Sequence, residues 1–131
     1  MSTTRKNYPS GAKWEDIVGY SRLVTVGNNI WLSGTVATND ANETVGKNDP
    51  YRQTKFIIEK IEHYLSKAGA SLKDVVRTRI FVTDISQWEA IGRAHGEFFK
   101  DIKPVTTMVE VKALINPDYM VEIEVDAVIP T

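Results

Sequence analysis

Apolar and polar residues alternate most cleanly near the C-terminal end. Val121, Ile123, Val125 and Ala127 fall on one side of a strand, and Glu122, Glu124 and Asp126 on the other. Side chains alternate across a sheet, so one face seeks a core and the other carries three carboxylates in a row. This strand runs from Val121 to Ile129, and Val105 to Val111 reads as the strand before it, with a Pro-bearing turn at Asn116-Pro117 between them. Upstream, Tyr20 to Val26 alternates, Asn28-Asn29 makes a turn and Ile30 to Ser33 returns as a hairpin. Met1 to Asp16 is polar and punctuated by Gly and Pro, which suits an arm or a short edge strand. Asn39 to Asp49 reads as a polar loop.

Two segments carry helical periodicity. Asp49-Pro50 supplies an N-cap and an N1 proline, and Phe56, Ile57, Ile58, Ile61, Tyr64, Leu65 and Ala68 then recur at helical spacing until Gly69. Ser86-Gln87-Trp88-Glu89 reads as a capping box that opens a second helix through Phe99. Between the helices, after the connector Leu72-Lys73-Asp74, lies the strand Val75 to Val82. Its alternation sets Val76, Thr78, Ile80 and Val82 against Val75, Arg77, Arg79 and Phe81. The element order is β-β-α-β-α-β-β in one domain covering residues 1–131. That order predicts an α+β fold with two helices packed on one face of a mixed sheet. Arg77 and Arg79 then share the sheet's second face with Glu122, Glu124 and Asp126, with Glu110 as a further candidate, and a subunit interface with paired charges is favoured over a solvated face.

Composition narrows the chemistry. The chain has 131 residues, no cysteine, two histidines and a formal net charge of -1. Without cysteine there is neither a disulfide framework nor thiolate chemistry, which suits a reducing cytoplasm. His63 and His95 lack neighbouring ligands, so no metal site is expected. The basic residues form no stripe, which argues against duplex nucleic acid as a partner. No apolar run reaches the ~20 residues of a membrane helix, and the N-terminal segment lacks the apolar core of a signal peptide. Arg22 and Arg93 read as surface charges.

Four segments resemble the reactive-intermediate deaminase family, also called RidA/YjgF or L-PSP. They are GYSRLVTVGNNIWLSG (19–34), KAGASLKDVVRTRIFVTDI (67–85), the helix ending EFF at Phe99, and KPVTTMVEV with VEIEVDAV near the C-terminus. The resemblance implies a chorismate-mutase-like fold and a homotrimer with the sheets as its central wall. It also implies small-molecule pockets between subunits and hydrolysis of reactive enamines and imines without a cofactor. Carried over residue by residue, Tyr20 stands at the family's pocket tyrosine, Ser33-Gly34 at the pocket floor and Glu122 at the pocket acid. After Pro104 the family's usual Arg is Thr106, and Gly92 stands where many members have a pocket Asn. A guanidinium grips a carboxylate bidentately, whereas a hydroxyl offers one neutral donor. The chain thus resembles a branch without the carboxylate-binding Arg.

The inferred pocket holds Tyr20, Ser33, Glu122 and Thr106 with the Gly34 and Thr35 amides, and Arg79 as a substitute cation should it swing inward. Such a set of neutral donors around one acid suits an amide, carbonyl or hydroxyl better than a dianion. Glu122 is either a general acid or base or a structural partner of Arg77 and Arg79. The function classes are a hydrolase of an imine-like metabolite, a non-catalytic metabolite-binding trimer, and an L-PSP-type endoribonuclease or translation inhibitor. The last fits least, because no histidine pair is available for RNA cleavage.

Overall fold

The computed structural model describes residues 4–131. Eight main elements follow one another: β1 (Arg5–Tyr8), β2 (Leu23–Val26), β3 (Asn29–Thr35), α1 (Pro50–Lys67), β4 (Val75–Val82), α2 (Trp88–Phe99), β5 (Val105–Glu110) and β6 (Val121–Val128). The sheet order is β1-β2-β3-β6-β4-β5. All neighbours are antiparallel except β4 and β5, which α2 joins. A parallel pair requires a crossover of about a dozen residues, which is why the helix sits there. The α+β fold with two helices on a mixed sheet is as expected, and the N-terminal arm adds β1 as the edge strand.

β6 lies mid-sheet between β3 and β4, and its alternation sets the layers. Val121, Ile123, Val125 and Ala127 are buried among Ile57, Ile58, Ile61 and Leu65 of α1 and Ile91 and Phe99 of α2. α1 begins as its sequence dictates: the Asp49 carboxylate accepts the Arg52 N–H at 3.0 Å, Pro50 occupies the first turn, and Gly69 ends the helix at φ 79°. Gln53 is fully buried in α1. Its amide donates to the Asp118 carbonyl at 2.9 Å and the Gly46 carbonyl at 3.2 Å, and accepts the Met120 N–H at 2.9 Å. One side chain thereby ties the loop before α1 and the loop before β6 to the core.

Local details depart from the sequence reading. The first hairpin turns at Gly27-Asn28, one residue early, because Val26 pairs with Asn29 and Gly27 takes φ 59°. The second helix does not start from a Ser86–Glu89 capping box. Asp84 instead accepts from the Ser86 N–H at 3.0 Å and hydroxyl at 2.7 Å, and a helical turn over Ile85–Gln87 leads into α2. In β4 the register with β6 shifts between Val75 and Arg77. That bulge turns Val75 inward and leaves Val76 exposed, the reverse of strict alternation. Glu110 does not join the acidic face: it accepts the Ile85 N–H at 3.0 Å.

Replacing Gln53 by Ala strands the Met120 N–H and the Asp118 carbonyl and leaves a cavity. The expected loss is about 2–4 kcal/mol in reversible urea unfolding, with Gln53→Glu tolerated no better than Ala.

Candidate functional site

The end of β3 is irregular, and that irregularity builds the site. Leu32 pairs with Val125 and Thr35 with Ile123, so β3 carries one residue more than β6 across this stretch. The bulge spans Ser33 and Gly34. It brings the Gly34 backbone against the side chain of Glu122. A Cβ on Gly34 would stand 2.1 Å from Glu122 Oε2 and 2.8 Å from its Cδ, so only glycine leaves the carboxylate room. The Gly34 carbonyl accepts from an Arg22 guanidinium N–H at 2.8 Å. Burial raises the Glu122 pKa above the ordinary carboxylate value. Arg22 opposes the rise and neighbouring Glu124 adds to it.

Ser33 donates its hydroxyl to the Ser21 carbonyl at 2.7 Å, and its N–H goes to the Arg22 carbonyl at 3.0 Å. With its proton committed there, the Ser33 oxygen is left only as an acceptor, where a donor was expected. Thr35 is fully buried and donates its hydroxyl to the Ser33 carbonyl at 3.1 Å. Tyr20 is exposed at the end of a short helical turn over Glu15–Gly19. Its backbone N–H closes that turn on the Glu15 carbonyl at 3.0 Å. Tyr20 lines a cleft of about 510 Å³ together with Arg5, Asn7, Glu15 and Ser33. Glu15 is buried and accepts both the N–H and the hydroxyl of Ser10, which anchors the arm over the cleft.

Within one chain the remaining expected pocket residues lie apart from this group. Thr106 pairs with Thr78 in the parallel register of β4 and β5, so it points to the helix-bearing side of the sheet, away from Glu122. Its hydroxyl meets Thr78 Oγ1 at 2.8 Å, and Thr78 Oγ1 meets His95 Nε2 at 3.0 Å. Thr106 also donates to the Pro104 carbonyl at 3.2 Å, which assigns the chain's direction from His95 Nε2–H through Thr78 to Thr106. Burial lowers the His95 pKa, in keeping with a neutral ring. Arg79 does not swing inward. It lies 3.4 Å from both Glu124 and Asp126, while Arg77 lies 3.6 Å from Asp126. These pairs cover the sheet's second face, as the strand alternation requires.

Two residues escaped the sequence reading. Arg22 is half-buried rather than a surface charge, with its guanidinium 5.6 Å from the Tyr64 ring centre. Lys60 projects from α1 to the Thr38 carbonyl at 2.8 Å and the Val36 carbonyl at 3.2 Å. Burial first, and Arg22 second, bring its pKa down to about 8. A lysine on a helix that is otherwise charged on its outer face gives no local sign of this; only its position against the loop after β3 does.

A mixed sheet with two helices on one face and an acid seated over a Ser-Gly bulge defines the class of α+β protein to which the chain belongs. The sequence profile of the Endoribonuclease L-PSP family matches residues 11–129, and the chain belongs to this RidA/YjgF family. It is 36% identical over 96 residues to RutC, a 3-aminoacrylate deaminase of Acinetobacter baylyi, covering 73% of this chain and 75% of that one. It is 34% identical over 118 residues to an uncharacterized protein of Streptomyces coelicolor, covering 90% and 87% respectively. The crystal structure of a YjgF-family protein of Mycobacterium tuberculosis superposes with a TM-score of 0.86 at 46% identity, over 96% of this chain and all of that one.

The raised Glu122 pKa has a stability consequence with a definite sign. The folded state holds the Glu122 proton more tightly than the unfolded chain does. Its contribution is therefore fully present below the ordinary carboxylate pKa and is lost as pH rises through the folded value. Glu122→Gln is expected to remove this decline. The difference in unfolding free energy between variant and wild type should move in the variant's favour across that window and then level off. A flat difference across the window would contradict a raised pKa.

Proposed function

We propose that the protein hydrolyses a small imine-like metabolite, with Glu122 as general acid and base, and that it works as a homotrimer with the ligand held at subunit interfaces. The seating of the Glu122 carboxylate over Gly34, half-buried and with its pKa raised, carries the reading. A partly desolvated carboxylate poised in this way can exchange a proton with water and with a nitrogen. The carboxylate takes a proton from water as the water oxygen bonds to the imine carbon. The C=N π pair moves onto nitrogen. The carboxylic acid returns the proton to nitrogen, which gives a carbinolamine. The carboxylate then takes the carbinolamine hydroxyl proton and passes it to the amine nitrogen as the C=O bond forms and the C–N bond breaks, releasing ammonia and a carbonyl product. Tyr20 and the Ser33 oxygen orient the reacting group at the mouth of the cleft.

The likeness to a 3-aminoacrylate deaminase supports this reaction class. The trimer rests on the sheet's open face. Trp31 is 46% exposed and Val128 38%, on paired strands beside the Arg77, Arg79, Glu124 and Asp126 lattice. Large apolar side chains interleaved with matched charges fit a subunit contact better than open water. A trimer also offers a reason for Thr106 to lie apart from Glu122 in one chain: a neighbouring copy can bring its β5 edge to the Tyr20–Ser33 cleft.

Imines released by an amino-acid dehydratase and trapped with semicarbazide give the test. Wild-type protein should accelerate imine loss, and Glu122→Gln should lose about a hundredfold or more of that rate while keeping its fold. Saturable ligand binding with no acceleration would sink the hydrolase and leave a metabolite-binding protein. Sedimentation equilibrium should give a trimer that Trp31→Asp dissociates. A wild-type monomer at micromolar concentration would overturn the assembly.

A further inference from the structure

Thr106 leaves the expected pocket without a cation, yet two cations meet on the other side of Tyr20. Arg22 and Lys60 line a cleft of about 310 Å³ that Tyr20, Tyr64 and Asn39 complete. The ion pairs within 4.0 Å among the described residues are Lys47–Asp118, Arg77–Asp126, Arg79–Glu124 and Arg79–Asp126, so neither Arg22 nor Lys60 has a carboxylate partner. Lys60 is held by two neutral carbonyls instead, those of Val36 and Thr38. Of the guanidinium donors of Arg22, one reaches the Gly34 carbonyl, and Nε is buried without a hydrogen-bond partner. Burying an incompletely paired guanidinium close to an ammonium is unfavourable unless something negative joins them.

We propose that Arg22 and Lys60 form a binding site within each chain for a small oxyanion, a carboxylate or phosphate group of the ligand. The site adjoins the catalytic group through Gly34, whose carbonyl holds Arg22 and whose Cα lies under Glu122. Arg22 is also close enough to Glu122 to oppose the rise of its pKa. Arg22 thus supplies, from just before β2, the fork that β5 lacks, and Lys60 adds a point charge from α1. The inference deepens the imine reading by naming the group its substrate carries, and rests on that reading in this respect alone.

The charged groups around Lys60 come from three directions. Arg22, Tyr20 and Glu15 face the cleft from the sheet and arm, Asp40 from the loop after β3 and Tyr64 from α1, while Glu59 and His63 of α1 line a neighbouring cleft that Lys60 also borders. Glu15 is occupied by Ser10, and Asp40 acts on Lys60 without reaching ion-pair distance. Lys60 titrates near 8, so an anion that prefers the ammonium binds best below that value. Its affinity should fall roughly five- to tenfold between pH 7 and pH 9 as the ammonium is lost.

The test follows the Lys60 methylene resonance in full-length protein labelled with ¹³C-lysine, identified by its loss in Lys60→Gln. Propionate and inorganic phosphate are titrated separately. Either anion should shift the Lys60 signal saturably and move its titration midpoint upward by about one pH unit or more. The tighter of the two identifies the group as carboxylate or phosphate. Arg22→Gln and Lys60→Gln should each weaken binding about tenfold or more wherever the variant remains folded. A Lys60 midpoint unchanged by both anions in wild-type protein overturns the proposal, whether or not the variants fold. Because the readout is binding at Lys60, anion binding without imine turnover would sink only the hydrolase, and turnover with a silent Lys60 would sink only this site.

Discussion

Gly34 stands between two charges, and the arrangement of the site depends on its having no side chain. Its Cα gives the Glu122 carboxylate a place to lie, at a distance that a Cβ would close to 2.1 Å. Its carbonyl takes an N–H from Arg22 at 2.8 Å. The extra residue that β3 carries against β6 is what turns this carbonyl toward Arg22 while leaving Glu122 over the backbone. A regular ladder would give that carbonyl to the neighbouring strand and place a side chain under the acid. One bulge therefore both half-buries Glu122, which raises its pKa, and sets a guanidinium near enough to temper the rise.

The two faces of the sheet hold together for different reasons. The inner face is hydrophobic burial: Val121, Ile123, Val125 and Ala127 are each at most 1% exposed beneath the helices. The outer face is a lattice of Arg77, Arg79, Glu124 and Asp126 at 3.4–3.6 Å, with side chains 27–42% exposed. Pairs this wet contribute little to the fold of one chain. Covered by another copy, the same pairs lose water, and breaking one becomes costly because its partner is left buried. Within a single chain the outer lattice thus contributes little to the fold.

How far the sequence was legible follows from the range of each interaction. The strand alternation of β6 and the cap, proline and glycine of α1 are local, and each could be read directly. One difference from the expected alternation had its cause in a residue inserted in one strand. The β4 bulge exchanges Val75 for Val76, and nothing in VVRTRIFV marks the slip. The β3 bulge is what gives Ser-Gly its role, and the family's motif pointed to the residues without revealing why a glycine is needed. Asp84 displaced Ser86 as the cap because a helical turn precedes α2, a shift of boundary that capping patterns rarely resolve. The face that Thr106 takes within the chain depends on the register of the parallel pair, which its own segment does not reveal.

Arg22 and Lys60 were missed for a deeper reason. Each looks solvated in its own segment, and they become neighbours only when the loop after β3 folds back so that its carbonyls at Val36 and Thr38 reach across to α1. Those carbonyls hold Lys60 in place without neutralising it. Aspartate at the same positions would have fixed the lysine as well and cancelled its charge. Neutral acceptors leave a fixed, partly desolvated positive charge, as Tyr64 does for Arg22 through its ring. A fold that positions two cations with neutral contacts preserves their field for something that is not part of the chain. The two cations come from different elements, α1 and the segment before β2, so neither segment alone reveals the cleft they line. A single position on one strand therefore says little about ligand charge until the whole cleft is built.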